Sequence, residues 1–531
     1  MRIPDSSEYI VIGAGSAGCV MATRLAQAGH DVVLVEAGPR DHPLDYRVHM
    51  PAALSHVLAS HTYNWHYETE AEPGMQDRRL FCPRGRTLGG SSSINGMIFV
   101  RGNAADFDRW ASLSGYSNWD YASCLPYFKR SEHAPFGNAR YRGVGGPMRL
   151  SRGDLANPLF GAFLEAGVSA GYALRDDLNG EYQEGVGAFD RTIYRGARWS
   201  TSRGYLDRVR DASNLKIVTG RQVARLLFEG DRATGVEFEG DGTRIMAGRE
   251  IIVSAGAINS PWLLLRSGIG AADELAKHGI ACIADLPGVG KHLQDHLEVY
   301  VQVACRRPVS LYPALKWYNQ AWIGPLWYLA RKGPGATNHF ETGGFIRSDE
   351  SVDYPDLQLH FLPVAMKYDG TGTAGRHGYQ VHVGPMKPTS RGDVTLDPRD
   401  PRRPPRIRFN YAATEADRVA MRRGIRLVRE ILAQPAFTPF DDAELMPGDD
   451  VRTDSEIDAF VSRYGESAYH PCGTCRMGTG DEAVVDDAGR VHGTTGLRVV
   501  DASIMPEITN GNLNAPVIML AEKIANTMAQ P

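Results

Sequence analysis

Long hydrophobic runs, long basic runs, internal repeats and low-complexity segments are all missing from this sequence. A membrane-spanning helix needs about 18 or more consecutive apolar residues, and no segment comes close to that length. The formal net charge of -4 gives no reason to expect nucleic acid as a partner. No signal peptide precedes the first apolar stretch. These absences predict a globular protein of the cytoplasm, and its 531 residues should form two or more domains.

Cysteine is scarce and scattered. The seven cysteines show no disulfide spacing, so reduced thiols are expected. Cys472 and Cys475 form a CxxC pair, a spacing found in zinc sites and in redox-active dithiols. Together with His296 and Glu298, they also match a zinc deaminase pattern. Many predicted strands and turns separate the two halves of that pattern, and one CxxC supplies only two of the four zinc ligands. We therefore expect no metal site.

The N-terminal segment carries a dinucleotide-binding pattern. A short β-branched strand at residues 9–12 runs into Gly13, Gly15 and Gly18, a helical pattern follows, and a second apolar strand ends at Glu36. Gly13 permits the tight turn, Gly15 lets the backbone approach a pyrophosphate, and Gly18 lets helix and strand pack closely. The acid suits a ribose hydroxyl and disfavours a 2′-phosphate, so NAD and FAD remain the alternatives ahead of NADP.

Three irregular stretches suit binding. Residues 41–80 form a long aromatic loop, which is usually functional and is expected near the active site. Residues 84–97 are rich in glycine and hydroxyl groups, so their backbone can lie against a flat or anionic group. Residues 311–330 hold three of the eight tryptophans, in a predicted helix that ends before Pro325. A core helix, a lid, and a surface that touches a membrane or a quinone are alternative interpretations of that helix.

His470 and Asn514 are candidates for catalysis. An imidazole titrates near neutral pH, so His470 suits a general base, with a structural role as the alternative. Asn514 begins the last predicted helix, at residues 514–528. As an N-cap it would bond its own helix. If that helix points its positive end into the cofactor domain, it would instead stabilise negative charge on a reduced flavin ring.

Taken in order, these motifs resemble the glucose–methanol–choline (GMC) oxidoreductase family over nearly the whole chain. The stretches that carry the resemblance are Gly13 to Gly18 with Glu36, residues 85–95, residues 256–270, His470 with Pro471, residues 501–503 and residues 514–516. The resemblance implies an α/β fold, with a Rossmann-like FAD-binding domain assembled from discontinuous segments. It also implies an inserted α+β substrate domain whose antiparallel sheet roofs the flavin.

The same resemblance divides the chain into alternating segments. The FAD-binding domain is expected at residues 1–155, 211–300 and 466–531, the last of which carries the catalytic histidine and asparagine. The substrate domain is expected at residues 156–210 and 301–465.

FAD is the implied cofactor. Some relatives tether it covalently through a histidine, and Ile94 stands at that position here, so non-covalent FAD is expected. The residues implied to bind FAD are Gly13, Gly15, Ser16, Ala17, Gly18, Glu36, Ala37, Arg86, Leu88, Gly89, Gly90, Ser91, Asn95, Gly96, Met97, Val223, Ala255, Gly256, Asp501, Ala502, Asn512 and Asn514.

Residues 294–298, 308–315 and 338–341 further resemble family members that oxidise choline. The implied reaction is oxidation of choline to betaine aldehyde, with onward oxidation of the aldehyde hydrate to glycine betaine as an extension. His470 would take the hydroxyl proton while a hydride passes to the flavin, and Asn514 would hydrogen-bond the same oxygen.

The implied substrate pocket holds a permanent cation. Glu298 would face the trimethylammonium group, and Phe340 and Tyr469 would supply aromatic faces. For Glu298 a surface carboxylate at a strand edge is the alternative. For the whole chain, the alternatives are a GMC dehydrogenase or oxidase of neutral aliphatic primary alcohols and a flavin-binding protein without turnover. A quinone or another acceptor would receive the electrons, and contact with the inner face of the cell membrane stays open.

Overall fold

The computed structural model of the chain describes residues 3–366, 372 and 374–528. Two large sheets organise this part of the chain, and each has its own hydrophobic core. One sheet is mainly parallel and the other mainly antiparallel. The predicted fold class, a Rossmann-like unit with an α+β unit inserted into it, is confirmed.

The first sheet has seven strands. Its strands in spatial order are Leu215–Thr219, Val32–Glu36, Ser6–Ile12, Arg244–Val253, Arg232–Phe238 and Val223–Glu229, with Leu497–Val499 also paired to Arg244–Val253. The predicted strands at 9–12 and 32–35 both lie within this sheet, and their side chains are buried because helices cover them.

Helix Ser16–Gln27 follows the first strand at once and packs against the C-terminal helix Asn514–Met528. A Cβ atom placed on Gly18 would lie 1.8 Å from the carbonyl oxygen of Gly13. Glycine is therefore required where this helix crosses the first strand. The packing of these two helices brings the N-terminal and C-terminal parts of the described chain together.

The second sheet has eight strands. In spatial order they are Asp441–Met446, Leu297–Cys305, Gly378–Pro385, Leu357–Leu362, Thr342–Ile346, Gly185–Ala188 and Leu174–Arg175, with Glu466–Ser467 also paired to Leu297–Cys305. Alternate residues such as Val299, Val301 and Val303 enter the core beneath helix Glu415–Leu432. The intervening residues face the opposite way.

Thirteen α-helices are described in these residues. They are Ser16–Gln27, Tyr46–His49, Leu54–Leu58, Ala104–Ser114, Tyr121–Ser131, Pro158–Ser169, Thr201–Gly204, Gly256–Arg266, Ala272–Lys277, Trp317–Ala330, Glu415–Leu432, Asp454–Tyr464 and Asn514–Met528. Short strand pairs are Tyr67–Glu68 with Phe81–Cys82, Glu132–His133 with Met148–Arg149, Ile193–Tyr194 with Ala197–Arg198, Ile269–Gly270 with Ala284–Asp285, and Asp393–Thr395 with Arg406–Arg408.

The tryptophan-rich helix differs from its prediction. It spans Trp317–Ala330 and continues through Pro325, so the predicted end before that proline is wrong. It is also not a core helix, because Trp317, Trp322 and Leu329 are 80%, 77% and 88% exposed. Within the part of the chain that is described, no helix is long and apolar enough to cross a bilayer.

The domain boundaries stay a prediction, and the sheets suggest where to adjust them. The second sheet already begins at Leu297, before the boundary drawn at residue 300. It also includes Glu466–Ser467, just after the boundary drawn at 465. We therefore propose that the segments of the substrate domain extend a few residues further on both sides.

Candidate active site

A cavity of about 1320 Å³ lies between the first sheet and one face of the second. Many residues expected at the site line it. From the expected FAD set these are Gly13, Gly15, Ser16, Ala17, Glu36, Ala37, Gly90, Ser91, Asn95, Gly96, Met97, Val223, Ala255, Gly256, Asp501, Ala502, Asn512 and Asn514. His470, Glu298, Phe340 and Tyr469 line the same cavity. One space therefore joins the dinucleotide motif to the proposed chemistry.

Four residues of the expected FAD set stand behind this lining. Gly18 is used for helix packing, as described above. Gly89 has φ +85° and donates its N–H to Ala14 at 2.7 Å, which holds the glycine-rich segment against the dinucleotide turn. Leu88 is buried in the first core, and the Arg86 guanidinium stacks on Trp65 at 5.0 Å. These residues shape the wall of the cavity.

The glycine-rich turn has the close approaches that the motif requires. Gly13 has φ +94°, and a Cβ atom on it would lie 2.5 Å from the Ser254 carbonyl oxygen. A Cβ atom on Gly90 would lie 2.6 Å from the Cα atom of Gly15. The two glycine segments therefore touch through their backbones and leave the cavity beside them open.

Glu36 lies at the end of its strand with both carboxylate oxygens held by backbone donors. One accepts from Ala14 N–H at 3.0 Å and the other from Gly38 N–H at 2.8 Å. Burial raises the pKa of Glu36 to about 7. Each oxygen keeps a further lone pair, so the carboxylate can still accept from a ribose hydroxyl.

The cavity wall fits a dinucleotide in its polar groups as well as in its shape. The Asn514 amide nitrogen and the Ser254 hydroxyl are buried without a hydrogen-bond partner among the described residues. Buried polar groups of this kind are normally satisfied, so a ligand rich in acceptors suits them. Ile94 lies against the cavity, and its alkyl side chain offers no atom for covalent attachment.

His470 is held by contacts on both ring nitrogens. Its Nδ1 lies 3.0 Å from Nδ1 of His296, and its Nε2 lies 3.0 Å from Nδ2 of Asn512. Burial, together with His296, His360 and Arg84, lowers the pKa of His470 well below its ordinary value. The imidazole is therefore neutral at physiological pH, so one of its ring nitrogens carries a lone pair.

The surrounding hydrogen bonds decide which nitrogen of His470 accepts. The Asn512 amide nitrogen faces His470 and donates to its Nε2, and the Asn512 side-chain oxygen accepts from Gln358 at 3.2 Å. His296 donates through Nε2 to the Met386 carbonyl at 3.3 Å, which leaves its Nδ1 as an acceptor for the N–H of His470. This network assigns the lone pair of His470 to Nε2.

The backbone at His470 is also fixed. Asp295 accepts the His470 N–H at 2.6 Å and the Tyr411 hydroxyl at 2.6 Å, and it is hydrogen-bonded to Ser467. Tyr469 has φ +66°, a conformation that is rare for a residue with a side chain. Such strain is typical of sites that need a side chain in one exact place.

Asn514 and Asn512 differ from the prediction in their placement. The Asn514 side-chain oxygen accepts from the Ser16 hydroxyl at 2.7 Å, beside the dinucleotide turn. Asn512, two residues earlier, contacts His470. The hydrogen bond to the imidazole therefore comes from Asn512, whereas the side-chain oxygen of Asn514 is bonded to Ser16.

Glu298 lies on the cavity face of the second sheet. Its Oε1 is 3.1 Å from Nδ1 of His382, and its side chain is only 14% exposed. Burial alone would raise the pKa of Glu298, but its contacts with His382, His360 and Tyr300 hold it below the ordinary value. The carboxylate is therefore anionic and half-buried, which suits a cationic partner.

Sequence reasoning missed several polar residues of this face. The Tyr300 ring stacks on His382 at 3.8 Å, and His360 and Gln380 also line the cavity. Their signal was available: polar residues alternate with core residues in the strands Leu297–Cys305, Leu357–Leu362 and Gly378–Pro385. What the pattern does not give is the register, which sets Tyr300 and His360 on either side of His382.

The CxxC pair plays no part in the cavity. Cys472 and Cys475 are buried and free, and burial raises the pKa of both thiols.

A separate cluster on the second sheet has side chains of the types that bind metal ions. One ligand atom each from Glu298, His360 and His382 lies within 4.8 Å of the others. No ligand set for a metal had been expected from the sequence.

The cavity, the dinucleotide turn and the neutral imidazole define a dinucleotide-dependent oxidoreductase. Two family models, both described as GMC oxidoreductase, match residues 7–298 and 388–521. The chain belongs to the GMC oxidoreductase family, and it is therefore an FAD-dependent enzyme of the kind that the sequence predicted.

Curated relatives match over nearly the full chain. Oxygen-dependent choline dehydrogenase of Pseudomonas syringae pv. syringae (strain B728a) is 54% identical over 533 residues, covering 99% of this chain and 94% of the relative. The protein of that name from Xanthomonas euvesicatoria pv. vesicatoria (strain 85-10) is 53% identical, covering 98% and 95%.

Solved structures share the whole fold. Pyridoxine 4-oxidase from Mesorbium loti superposes with a TM-score of 0.88 at 33% identity, covering 98% of this chain and 99% of that one. A formate oxidase of Aspergillus oryzae RIB40, in a study of FAD modification, superposes with a TM-score of 0.92 at 28% identity, covering 99% of both chains.

Proposed function

We propose that this chain is an FAD-dependent choline dehydrogenase, which oxidises choline to betaine aldehyde. The observation that carries the proposal is the half-buried anionic carboxylate of Glu298, which shares one cavity with the neutral imidazole of His470. Choline has a hydroxyl at one end and a permanent cation at the other. His470 suits the hydroxyl end of choline and Glu298 suits the cationic end. The names of the relatives agree with this assignment.

The protein groups supply proton chemistry and orientation. His470 accepts the hydroxyl proton at Nε2, the nitrogen to which the network assigns the lone pair, in place of its hydrogen bond from Asn512. Asn512 takes the role first expected for Asn514, since its amide N–H can bond the same oxygen as negative charge develops there. Bound FAD supplies the acceptor for the hydride that leaves the adjacent carbon.

FAD would be held by the residues that line the dinucleotide end of the cavity. Gly13, Gly15 and Ser16 lie where a pyrophosphate can approach the N-terminus of helix Ser16–Gln27. Glu36 suits the ribose hydroxyl. Asp501 accepts from Gly256 N–H at 2.8 Å and so joins the two segments that close the other side.

The cation would lie against Glu298. A quaternary ammonium group has no N–H, so only charge and aromatic faces can hold it. Phe340 and Tyr469 both line the cavity near this carboxylate, and Tyr469 feels its charge, as burial and nearby acids raise the pKa of its hydroxyl. The aldehyde hydrate keeps the same cation and offers a new hydroxyl to His470, so onward oxidation to glycine betaine belongs to the same proposal.

Glu298→Gln tests the proposal against a GMC enzyme of neutral alcohols. The matched substrate is 3,3-dimethylbutan-1-ol, in which carbon replaces the cationic nitrogen at the same shape. We expect kcat/KM for choline to fall by about 10²-fold or more, since a desolvated charge pair is lost. The neutral alcohol should be almost unaffected. Equal effects on both substrates would contradict the cation site and favour the neutral-alcohol enzyme.

The electron acceptor has two candidates, each favoured by a separate observation. The names of the relatives favour oxygen. The exposed helix Trp317–Ala330 favours a membrane quinone, because Leu315 and Lys316 just before the helix and Gln320 in its first turn also line the cavity. Assays with oxygen and with a soluble quinone analogue, at equal choline, separate the two. A quinone acceptor would fit a cytoplasmic enzyme that associates with the inner face of the cell membrane.

A further inference from the structure

His382 stands between Glu298 and Gln380 and uses both ring nitrogens. Its Nδ1 lies 3.1 Å from Oε1 of Glu298, and its Nε2 lies 2.7 Å from Nε2 of Gln380. A neutral imidazole carries one proton, so one nitrogen donates and the other accepts. The nitrogen of His382 that donates can be identified from the neighbour whose own hydrogen bonds fix its orientation.

Gln380 is that neighbour. Its side-chain oxygen accepts from the backbone N–H of Met366 at 2.8 Å and from Nε2 of Gln302 at 2.9 Å. A backbone N–H can only donate, so the Gln380 oxygen must point toward Met366 and its NH₂ group toward His382. Nε2 of His382 is therefore an acceptor, and its proton sits on Nδ1, facing Glu298.

Packing keeps the ring of His382 in this orientation. The Tyr300 ring stacks on one face at 3.8 Å, and the Phe340 ring meets it edge-on at 5.5 Å. Gln380 is 1% exposed and His382 is 6% exposed. Because the ring cannot rotate freely, the tautomer of His382 determines whether Glu298 faces an N–H donor or a lone pair.

We infer that Gln380 is a positioning residue for substrate selectivity, which acts through His382 on Glu298. By fixing the Nδ1–H tautomer, it keeps an N–H donor on the carboxylate, so the carboxylate stays ionised and correctly oriented for a cation. In the opposite tautomer a lone pair would face Glu298, and the carboxyl group would have to carry the proton to make that hydrogen bond. A neutral carboxyl group would no longer attract the cation. The inference rests on the proposed role of Glu298.

The same tautomer argues against a metal ion on Glu298, His360 and His382. A metal bound at Nδ1 of His382 needs the lone pair there, and the proton would move to Nε2, against the NH₂ group of Gln380. We expect elemental analysis of the purified holoenzyme to find no stoichiometric zinc. One zinc per chain, lost in His382→Asn, would overturn the inferred tautomer.

Gln380→Met tests the inference, because it removes the donor and keeps a similar shape. We expect kcat/KM for choline to fall about tenfold, mainly through KM, as for a weakened hydrogen bond to a charged group. The value for 3,3-dimethylbutan-1-ol should change less than about twofold. A loss that is equal for both substrates would mean a general structural defect and would overturn the inference.

The pH profile gives a readout that a structural defect would not move. The other titratable groups that face Glu298 are Tyr300 and His360 on the sheet and Glu466 and Tyr469 on the segment before His470. None of these is altered. When the donor is lost, Glu298 takes up a proton more easily, so the rise of the choline KM on acidification should begin at higher pH in Gln380→Met. An unchanged onset would contradict the inference.

Controls separate this inference from the proposal beneath it. Tyr379 neighbours Gln380 on the same strand but enters the second core, so Tyr379→Phe should leave the substrate ratio unchanged. If Glu298→Gln alters the ratio and Gln380→Met does not, the inference fails and the cation site stands. If neither alters it, the cation site itself fails.

A second pair of variants covers the case in which Gln380→Met does not fold. His382→Asn keeps a side-chain N–H near the position of Nδ1, and His382→Leu does not. We expect His382→Asn to keep more of the choline preference than His382→Leu, and to restore it when combined with Gln380→Met. No difference between the two substitutions would overturn the role of the donor.

Discussion

At the scale of residues, the site depends on which nitrogen of each buried histidine carries its proton. His470 is flanked by His296 and Asn512, and the partners of those two leave a single consistent pattern, with the acceptor at Nε2. Burial lowers the pKa of His296 to about 3, which is far below physiological pH. The proton acceptor is thus prepared before a substrate arrives.

Asn512 and Asn514 give the sharpest prediction at this scale. Asn512→Ala should slow flavin reduction by about 10²–10³-fold, because it removes a donor to the developing negative oxygen. Asn514→Ala should affect that rate much less and should instead weaken FAD retention, because Asn514 bonds Ser16 at the dinucleotide turn. Anaerobic rapid mixing and the flavin content of each purified variant measure the two effects. The reverse order of effects would restore Asn514 as the catalytic amide.

At the scale of elements, the helix Trp317–Ala330 is the feature that the fold itself leaves unexplained. Its exposed side chains are large and apolar, and Lys316 and Lys332 flank it with positive charge. Exposed apolar surface with a basic rim is typical of a segment that lies on an anionic membrane. Its first turn adjoins the cavity, so a membrane contact would bring a quinone to the site.

The membrane contact can be tested on this helix alone. Trp322→Ser combined with Leu329→Ser should lower binding to vesicles with anionic phospholipid by about tenfold or more, since each side chain contributes about 1.5–3 kcal/mol when buried. The matched control is Val144→Ser with Leu174→Ser, two apolar residues that are 73% and 57% exposed elsewhere. Co-sedimentation measures both, and equal binding by the two double variants would exclude the helix.

At the scale of the whole molecule, buried neutral histidines couple stability to pH. Burial lowers the pKa of four of them well below the value near 6.5: His49 to about 4, His296 to about 3, His339 to about 4 and His360 to about 4. The unfolded chain binds protons at these sites before the folded chain does. Their contribution is complete above pH ~6.5 and is lost as the pH falls toward their folded pKa values.

We therefore expect the unfolding temperature of the holoenzyme to fall from about pH 7 to about pH 5, since each such histidine costs about 1.4 kcal/mol per pH unit there. Glu36 and Asp41 oppose this, because burial raises their pKa values to about 7 and about 6. Five further carboxyl groups also have raised pKa values, and five further histidines have lowered ones. The histidines are thus the larger set and determine the expected direction. Thermal scans measure the slope, and His49→Gln, outside the cavity, should flatten it. A temperature that rises on acidification would contradict this balance.

Much of the whole-molecule architecture could be predicted from the sequence, because local patterns determine it. The strand at residues 9–12, the glycines after it and Glu36 are consecutive, and their chemistry depends on neighbours in the chain. The end of the tryptophan-rich helix is harder to predict, because Pro325 lowers helix propensity and yet the helix continues through it.

The site was predictable in part for a related reason. His470 and Glu298 stand out as single residues, whereas Gln380 and His382 matter only through the register of strands far apart in the chain. The choice between Asn512 and Asn514 depends on how one short turn directs two side chains, and residue spacing does not resolve that.

The most direct test of the central claim is anaerobic mixing of the oxidised holoenzyme with choline, followed through the visible absorbance of the flavin. Choline should bleach the wild-type flavin in one phase that saturates with its concentration. His470→Ala should slow that phase by about 10²–10⁴-fold while still retaining FAD. A wild-type flavin that stays oxidised, or a His470→Ala variant that is reduced at the wild-type rate, would contradict the account.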